Sequence, residues 1–278
     1  MTELFVLIII VLTGMTCALI GNFLVLRRMA LVGDAMSHSM LPGILLAFFI
    51  TGTLESPLFF FFAAVFAVLM SLMVDFLIEK VGIFQESAIG IVFTFLFSVG
   101  VVLLVQFAGT VHIDTHAVLY GNAEFAAFEK LFVMGKNLGP RALWIMGLMF
   151  LVNLTAVILM YKEWKVSIFD KSFSRSVGIS PRFLHYLLIA LTSLTVVSAF
   201  EIVGVVLVVA LLIVPGATAH LLSSKLWQMI VFSLLCALFA AVGGFFLAIN
   251  MDLSLSGSVA LMSGILMAIV ALTLHLRR

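Results

Sequence analysis

Asp34 and His38 lie four residues apart in the stretch LVGDAMSHSMLPG, residues 31–43, which otherwise reads as a membrane span. In a helix, positions i and i+4 share one face with Cβ atoms about 6 Å apart, so a carboxylate oxygen and a ring nitrogen can converge on one ion. A hard carboxylate beside a borderline imidazole suits a divalent transition metal such as Mn2+, Fe2+ or Zn2+ better than an alkali ion or a sugar. Ionisable groups at membrane depth cost at least ~2.5–3.5 kcal/mol on insertion scales, and they normally face a cavity, a partner or a substrate path. Pro42 and Gly43 follow at once, a combination that loosens the helix and frees backbone carbonyls beside the pair. The competing reading is an Asp34–His38 pair that neutralises itself in the bundle or near the inner headgroups.

The elements that position this pair are membrane helices. Hydrophobic residues make up 64% of the chain and charged residues 10%, and the mean hydropathy is +1.35; a soluble domain cannot carry that composition. Apolar runs near or above 18 residues recur, each long enough at ~1.5 Å per residue to cross ~30 Å of hydrocarbon. They are apolar on all sides, which excludes barrel strands of period two. The runs fall near 4–26, 35–53, 57–78, 87–107, 141–161, 184–200, 202–222, 227–249 and 256–275. The fold class is therefore all-α, a polytopic helical membrane protein of about nine spans in a single domain, residues 1–278. Eight is the alternative count if 184–222 is one span; the division is placed at Ala199-Phe200-Glu201, where neither Pro nor Gly stands. Cys17 and Cys236 fall mid-span, so no disulfide framework is expected.

Basic residues orient the chain, because cytoplasmic loops hold an excess of them. With nine spans and the N-terminus outside, only Lys130, Lys136 and Arg141 of the 14 Lys and Arg lie outside, and the C-terminus is cytoplasmic. Two polar segments interrupt the spans. The one at about 108–140 is read as an external loop, in which His112, Asp114 and His116 alternate and, if extended, point one way as ion ligands at the mouth; a solvated loop explains them equally. The other, at about 162–183, lies inside. Within it Phe169–Val177 is expected to form a short surface helix, capped by Asp170 or Ser172 and stopped by Gly178 before Pro181, a docking surface for a soluble partner. Glu201 is either a second path residue or a cap at the outer interface. Asp75 and Glu79, one turn apart at the inner end of the third span, read as a solvated face.

The stretch GNFLVLRRMALVGDAMSHSMLPGILLAF, residues 21–48, resembles the signature of the permease subunits of manganese, zinc and iron ABC importers. FEIVGVVLVVALLIVPGATAHLL at 200–222 is similar to that family's late hydrophobic motif, and FDKSFSRSVGI at 169–179 resembles its ATPase-facing segment, with Ser174 where Ala is usual. DTHAVLYGNAEF at 114–125 resembles the external loop of one subgroup, with His116 where an acid is more common. The resemblance implies import of a divalent metal, Mn2+ first and then Zn2+ or Fe2+, as substrate with no permanently bound cofactor. It implies a cytosolic ATP-binding subunit, a second permease copy or paralogue, and an extracytoplasmic metal-binding lipoprotein or periplasmic protein, in a bacterial inner membrane. It places the metal path on Asp34 and His38 and the ATPase contact on Phe169, Asp170, Ser174 and Gly178. No nucleic-acid partner is expected.

The residues agree on energy supply. The phosphate-loop pattern G-x-x-x-x-G-K-[ST] is absent, and the one Gly-Lys, at 135–136, is followed by Asn137. ATP hydrolysis therefore falls to a separate subunit, so the chain itself is not an enzyme. A self-contained proton-coupled transporter using Asp34, His38 and Glu201 is the alternative, although the inverted repeat such proteins often carry is not evident.

Overall fold

In a computed structural model, which describes residues 2–52, 57–107, 130–133 and 136–276, nearly every apolar run is a helix. The order is α1 (Thr2–Leu26), α2 (Ala30–Ser39), α3 (Leu41–Thr51) and α4 (Pro57–Phe76), which continues through a π turn at Leu77–Val81. After α5 (Gln85–Phe107) come strands β1 (Lys130–Val133) and β2 (Lys136–Pro140), then α6 (Arg141–Leu159), α7 (Tyr161–Phe169) and α8 (Lys171–Ser176). The chain finishes with α9 (Pro181–Leu222), α10 (Leu226–Met251) and α11 (Leu255–Leu276). The protein is an all-α polytopic membrane protein: eight stretches among the described residues are long and apolar enough to cross a bilayer, α2 and α3 counting as one.

The longest, α9, has 42 residues, which unbroken would span ~63 Å, twice the hydrocarbon thickness. It does not run straight. His185, near its start, bonds Arg27 beyond the end of α1, and Gly216, near its end, packs against Gly21 and Asn22 of the same helix. Those two points on α1 are ~9 Å apart, whereas residues 185–216 in one unbroken helix would span ~46 Å. The reversal is at Gly204, with φ 75° and ψ 170°, a region essentially reserved for glycine. The sequence places the division at 199–201, three residues too early, because Glu201 is the one carboxylate in the run, whereas the turn needs only the glycine that follows it. Ser256 at the start of α11 donates to the carbonyl of Val203 (3.0 Å), satisfying an acceptor that the break leaves over.

Helices α1, α2–α3 and α9 form the buried centre, while α4, α5, α6, α10 and α11 carry most of the exposed apolar surface that lipid covers. The centre packs by close backbone approach, as helices in lipid do with small residues. A Cβ on Gly21 would overlap the carbonyl of Leu212, so α1 and α9 meet at a distance that only glycine permits. Side-chain hydrogen bonds add register: Asn22 Nδ2 to Ser233 Oγ (2.6 Å) links α1 to α10, Asn153 Nδ2 to Thr195 Oγ1 (2.8 Å) links α6 to α9, and Ser193 Oγ donates to the carbonyl of Ala64 (3.0 Å) on α4. Cys17 is buried and Cys236 half-buried, and neither is in a disulfide.

The segment expected as a plain external loop ends in structure. Strands β1 and β2 pair antiparallel, with Phe132 opposite Asn137 and Val133 opposite Lys136. The segment at 162–183 is likewise more structured than expected: α7 sinks Trp164 into the core against Phe23, ring centroids 4.7 Å apart, with its Nε1 donating to the carbonyl of Leu184 (3.3 Å).

Replacing Gly204 by alanine forces a side chain into a glycine-only conformation at a cost of about 1–3 kcal/mol. The purified Gly204→Ala protein is expected to lose its monodisperse elution profile at a heating temperature several degrees below wild type, and an unchanged temperature would remove the turn from the account.

Candidate functional site

Helix α2 buries Val32, Gly33, Ala35, Met36, Ser37 and Ser39. Gly33 lies against Leu212 of α9, so the smallest side chain sits where α2 presses on the centre. Asp34 and His38 lie on the remaining face. Their side chains are 46% and 34% exposed, so the pair opens outward from the chain. The His38 ring lies between Phe93 and Phe97 of α5, both centroids 5.7 Å away, which fixes its plane.

Asp34 Oδ1 and His38 Nε2 are 3.6 Å apart, too far for a hydrogen bond. Two bonds of ~2.1 Å to one shared ion, meeting at about 115°, would span that gap. Four residues beyond His38 stands Pro42, which has no N–H for the His38 carbonyl. One rung of the ladder is therefore missing at the junction of α2 and α3: Met40, between them, donates its N–H to the carbonyls of His38 and Met36, and Ile44 N–H bonds the carbonyl of Met40 (3.0 Å). The carbonyl that loses its usual helical donor to the proline is that of the histidine of the pair, and Met40 N–H takes it up instead. Among the described residues no group of three or more His, Cys, Asp or Glu side chains comes together, so one chain offers this ion two side-chain ligands.

The other sequence-derived residues lie elsewhere. Glu201 is exposed, three residues before the turn at Gly204, on a different element from Asp34 and His38. His112, Asp114 and His116 lie outside the described residues. In the segment after α7, Asp170 is the cap of α8: its Oδ1 accepts from the N–H groups of Ser172 (3.0 Å) and Phe173 (2.9 Å). Gly178 ends that helix with φ 82°, and Ser174 is buried, its hydroxyl donating to the carbonyl of Ile179 (3.2 Å). Phe169 is 65% exposed. The helix expected over Phe169–Val177 is shorter, Lys171–Ser176, because the chain is extended at Asp170, which leaves Phe169 at the end of α7 and Val177 just past α8. Phe173 and Val177, which sequence reasoning did not single out as contact residues, are exposed like Phe169.

Asp75 is not the solvated residue expected of it: it is partly buried and accepts from His185 Nε2 at 3.0 and 3.3 Å. Glu79 is exposed, as expected, and accepts from Arg182 at 3.1 and 3.3 Å. Arg27 joins them: its guanidinium reaches His185 Nδ1 and Ser167 Oγ, each at 3.2 Å, and burial lowers its pKa from the usual guanidinium value. No local signal pairs residues 110 positions apart, so this cluster was invisible in the sequence.

The chain is a polytopic helical bundle with a carboxylate–imidazole pair on one membrane-embedded helix and exposed apolar residues around α8. Its family follows from comparison: the chain belongs to the ABC 3 transport family, whose profile matches residues 3–274. It is 41% identical over 255 residues to the manganese transport system membrane protein MntD of Bacillus subtilis, covering 92% of this chain and 86% of that protein. It is also 41% identical over 270 residues to the zinc transport system membrane protein TroD of Treponema pallidum, covering 96% and 72%. The solved structure of PsaBC from Streptococcus pneumoniae in complex with Fab superposes with a TM-score of 0.76 at 29% identity, over 95% of this chain and 89% of that one.

Removing the Asp170 cap costs a helix ~1 kcal/mol, about a fivefold change in local opening. In Asp170→Ala the amides of Ser172 and Phe173 are expected to exchange hydrogen about five times faster than in wild type, with amides in α1 unchanged. Equal rates would show that α8 does not depend on this cap.

Proposed function

We propose that this chain is the membrane-spanning translocation subunit of an ATP-driven importer of a divalent transition metal. The carrying observation is the Asp34–His38 pair: a carboxylate and an imidazole 3.6 Å apart, partly exposed, on a helix whose other residues beyond its first turn are mostly buried. Lipid is no partner for such a face. A second permease copy or paralogue placed against it doubles the ligand set to two carboxylates and two imidazoles and encloses the path between the two chains. The ligands exchange part of the ion's water shell for oxygen and nitrogen.

The rest of the assembly is read from the family and from charge. The N-terminus lies outside and the segment at about 162–183 inside, as the distribution of Lys and Arg favours. An extracytoplasmic binding protein delivers the metal to the outer mouth. A cytosolic ATP-hydrolysing subunit docks on Phe169, Phe173 and Val177, whose apolar surface is out of place in water. Alternating access then moves the ion inward through the dimer. A ligand set with a carboxylate and no thiolate favours Mn2+ over softer ions, with Zn2+ and Fe2+ next. Relatives named for manganese and for zinc transport are each 41% identical to this chain, which supports a scaffold common to both metals.

The test is uptake of Mn2+, Zn2+ and Fe2+ by cells making the full complex. Asp34→Ala and His38→Ala are each expected to lower uptake by more than about tenfold with assembly intact, since even residues that only support metal ligands cost 10–100-fold. Lys80→Ala, an exposed charge, is expected to leave uptake at wild-type level. Undiminished uptake in Asp34→Ala would move the path off α2, and uptake by wild type driven by a proton gradient without ATP would make the chain a secondary transporter.

A further inference from the structure

The cluster beside the inner end of α1 has no part in holding the metal, and its hydrogen bonds can be assigned without ambiguity. Arg27 can only donate, so His185 Nδ1, 3.2 Å away, must accept. The ring proton is then on Nε2 and goes to Asp75, 3.0 Å away. His185 therefore has no lone pair left for an ion. Although a small cavity lined by Met29, Met70, Asp75 and His185 adjoins it, this carboxylate and imidazole form no second metal site. They form a chain from cation through neutral imidazole to carboxylate that ties α1, α9 and α4 together.

Its location links the two working parts of the molecule. Arg27 stands three residues before α2, the helix of Asp34 and His38. Ser167, its other partner, is on α7, next to α8, and His185 opens α9 just after α8. The chain is also one bond short of closure. Arg27 Nε and Glu163 Oε2 are both buried without a hydrogen-bond partner among the described residues. Glu163 and Ser167 stand at i and i+4 on α7, so the unused carboxylate oxygen is on the face that Arg27 already touches. A buried orphan costs enough that each such atom in a native structure calls for an explanation.

We infer that Arg27 is a positioning residue with two settings, bonded here to Ser167 and His185 and turning to Glu163 in the opposite state of the transport cycle. The exchange carries movement of the α7–α8 segment to the start of α2. This rests on the transport reading above, and it supplies the discrete two-state element that energetic coupling between distant sites requires.

The test uses the complex with its ATP-hydrolysing subunit in proteoliposomes, measuring ions imported per ATP hydrolysed. Glu163→Gln and His185→Ala are expected to keep hydrolysis within about twofold of wild type while the ratio falls about tenfold, within the range of measured coupling effects. His185→Gln, whose amide can accept from Arg27 and donate to Asp75, is expected to recover about half of the ratio. Glu163 Oε2 makes no hydrogen bond among the described residues, so a static role predicts no change on Glu163→Gln, and an unchanged ratio would overturn the second setting. Hydrolysis and uptake falling together in His185→Ala, with His185→Gln no better, would reduce the cluster to packing. A wild-type complex without ATP-dependent uptake would instead sink the transport reading before any variant was compared.

Discussion

A backbone crossing hydrocarbon must satisfy its own N–H and C=O groups, and that constraint makes each interruption of a helix informative. This chain interrupts its apolar helices at few places, and each lies beside something polar or a sharp change of direction. The break at Met40 follows from Pro42 and sits next to His38. The π turn at Leu77–Val81 follows Asp75 and contains Glu79. The reversal at Gly204 lies three residues past Glu201, and its leftover carbonyl is taken by Ser256. Where the helices are unbroken, as in α10 and most of α1, the polar groups are hydroxyls and amides that bond neighbouring helices or their own backbone.

Charge is distributed by the same logic. One ionisable pair sits on α2 and opens outward. The others collect near the Arg27 end of α1, where partial burial strengthens them unequally. His185 and Asp75 are 20% and 22% exposed, whereas Arg182 and Glu79 are 74% and 55% exposed. The second pair is therefore worth little on its own, and the first holds the helices together.

Much of this was legible from sequence because it is local. Hydropathy located the spans, an i, i+4 spacing joined Asp34 to His38, and the Asp170 cap and Gly178 stop follow from short-range hydrogen bonding. The errors have a common cause. The division of α9 rests on the backbone freedom of Gly204, whereas the polar residue that stands out in that run is Glu201, three positions earlier. Asp75 looked solvated because His185 is 110 residues away, and Trp164 looked cytosolic because its partners Phe23 and Leu184 lie on other helices. Tertiary contacts of this kind leave no mark on a single sequence.

The row of Phe169, Phe173 and Val177 also bears on how the subunit is made. These side chains stay uncovered in the folded chain. On the docking proposed above, a copy synthesised without its soluble partner would carry an adhesive apolar surface into the aqueous phase and be open to self-association. Matched synthesis of the two subunits would then be a requirement written into three side chains.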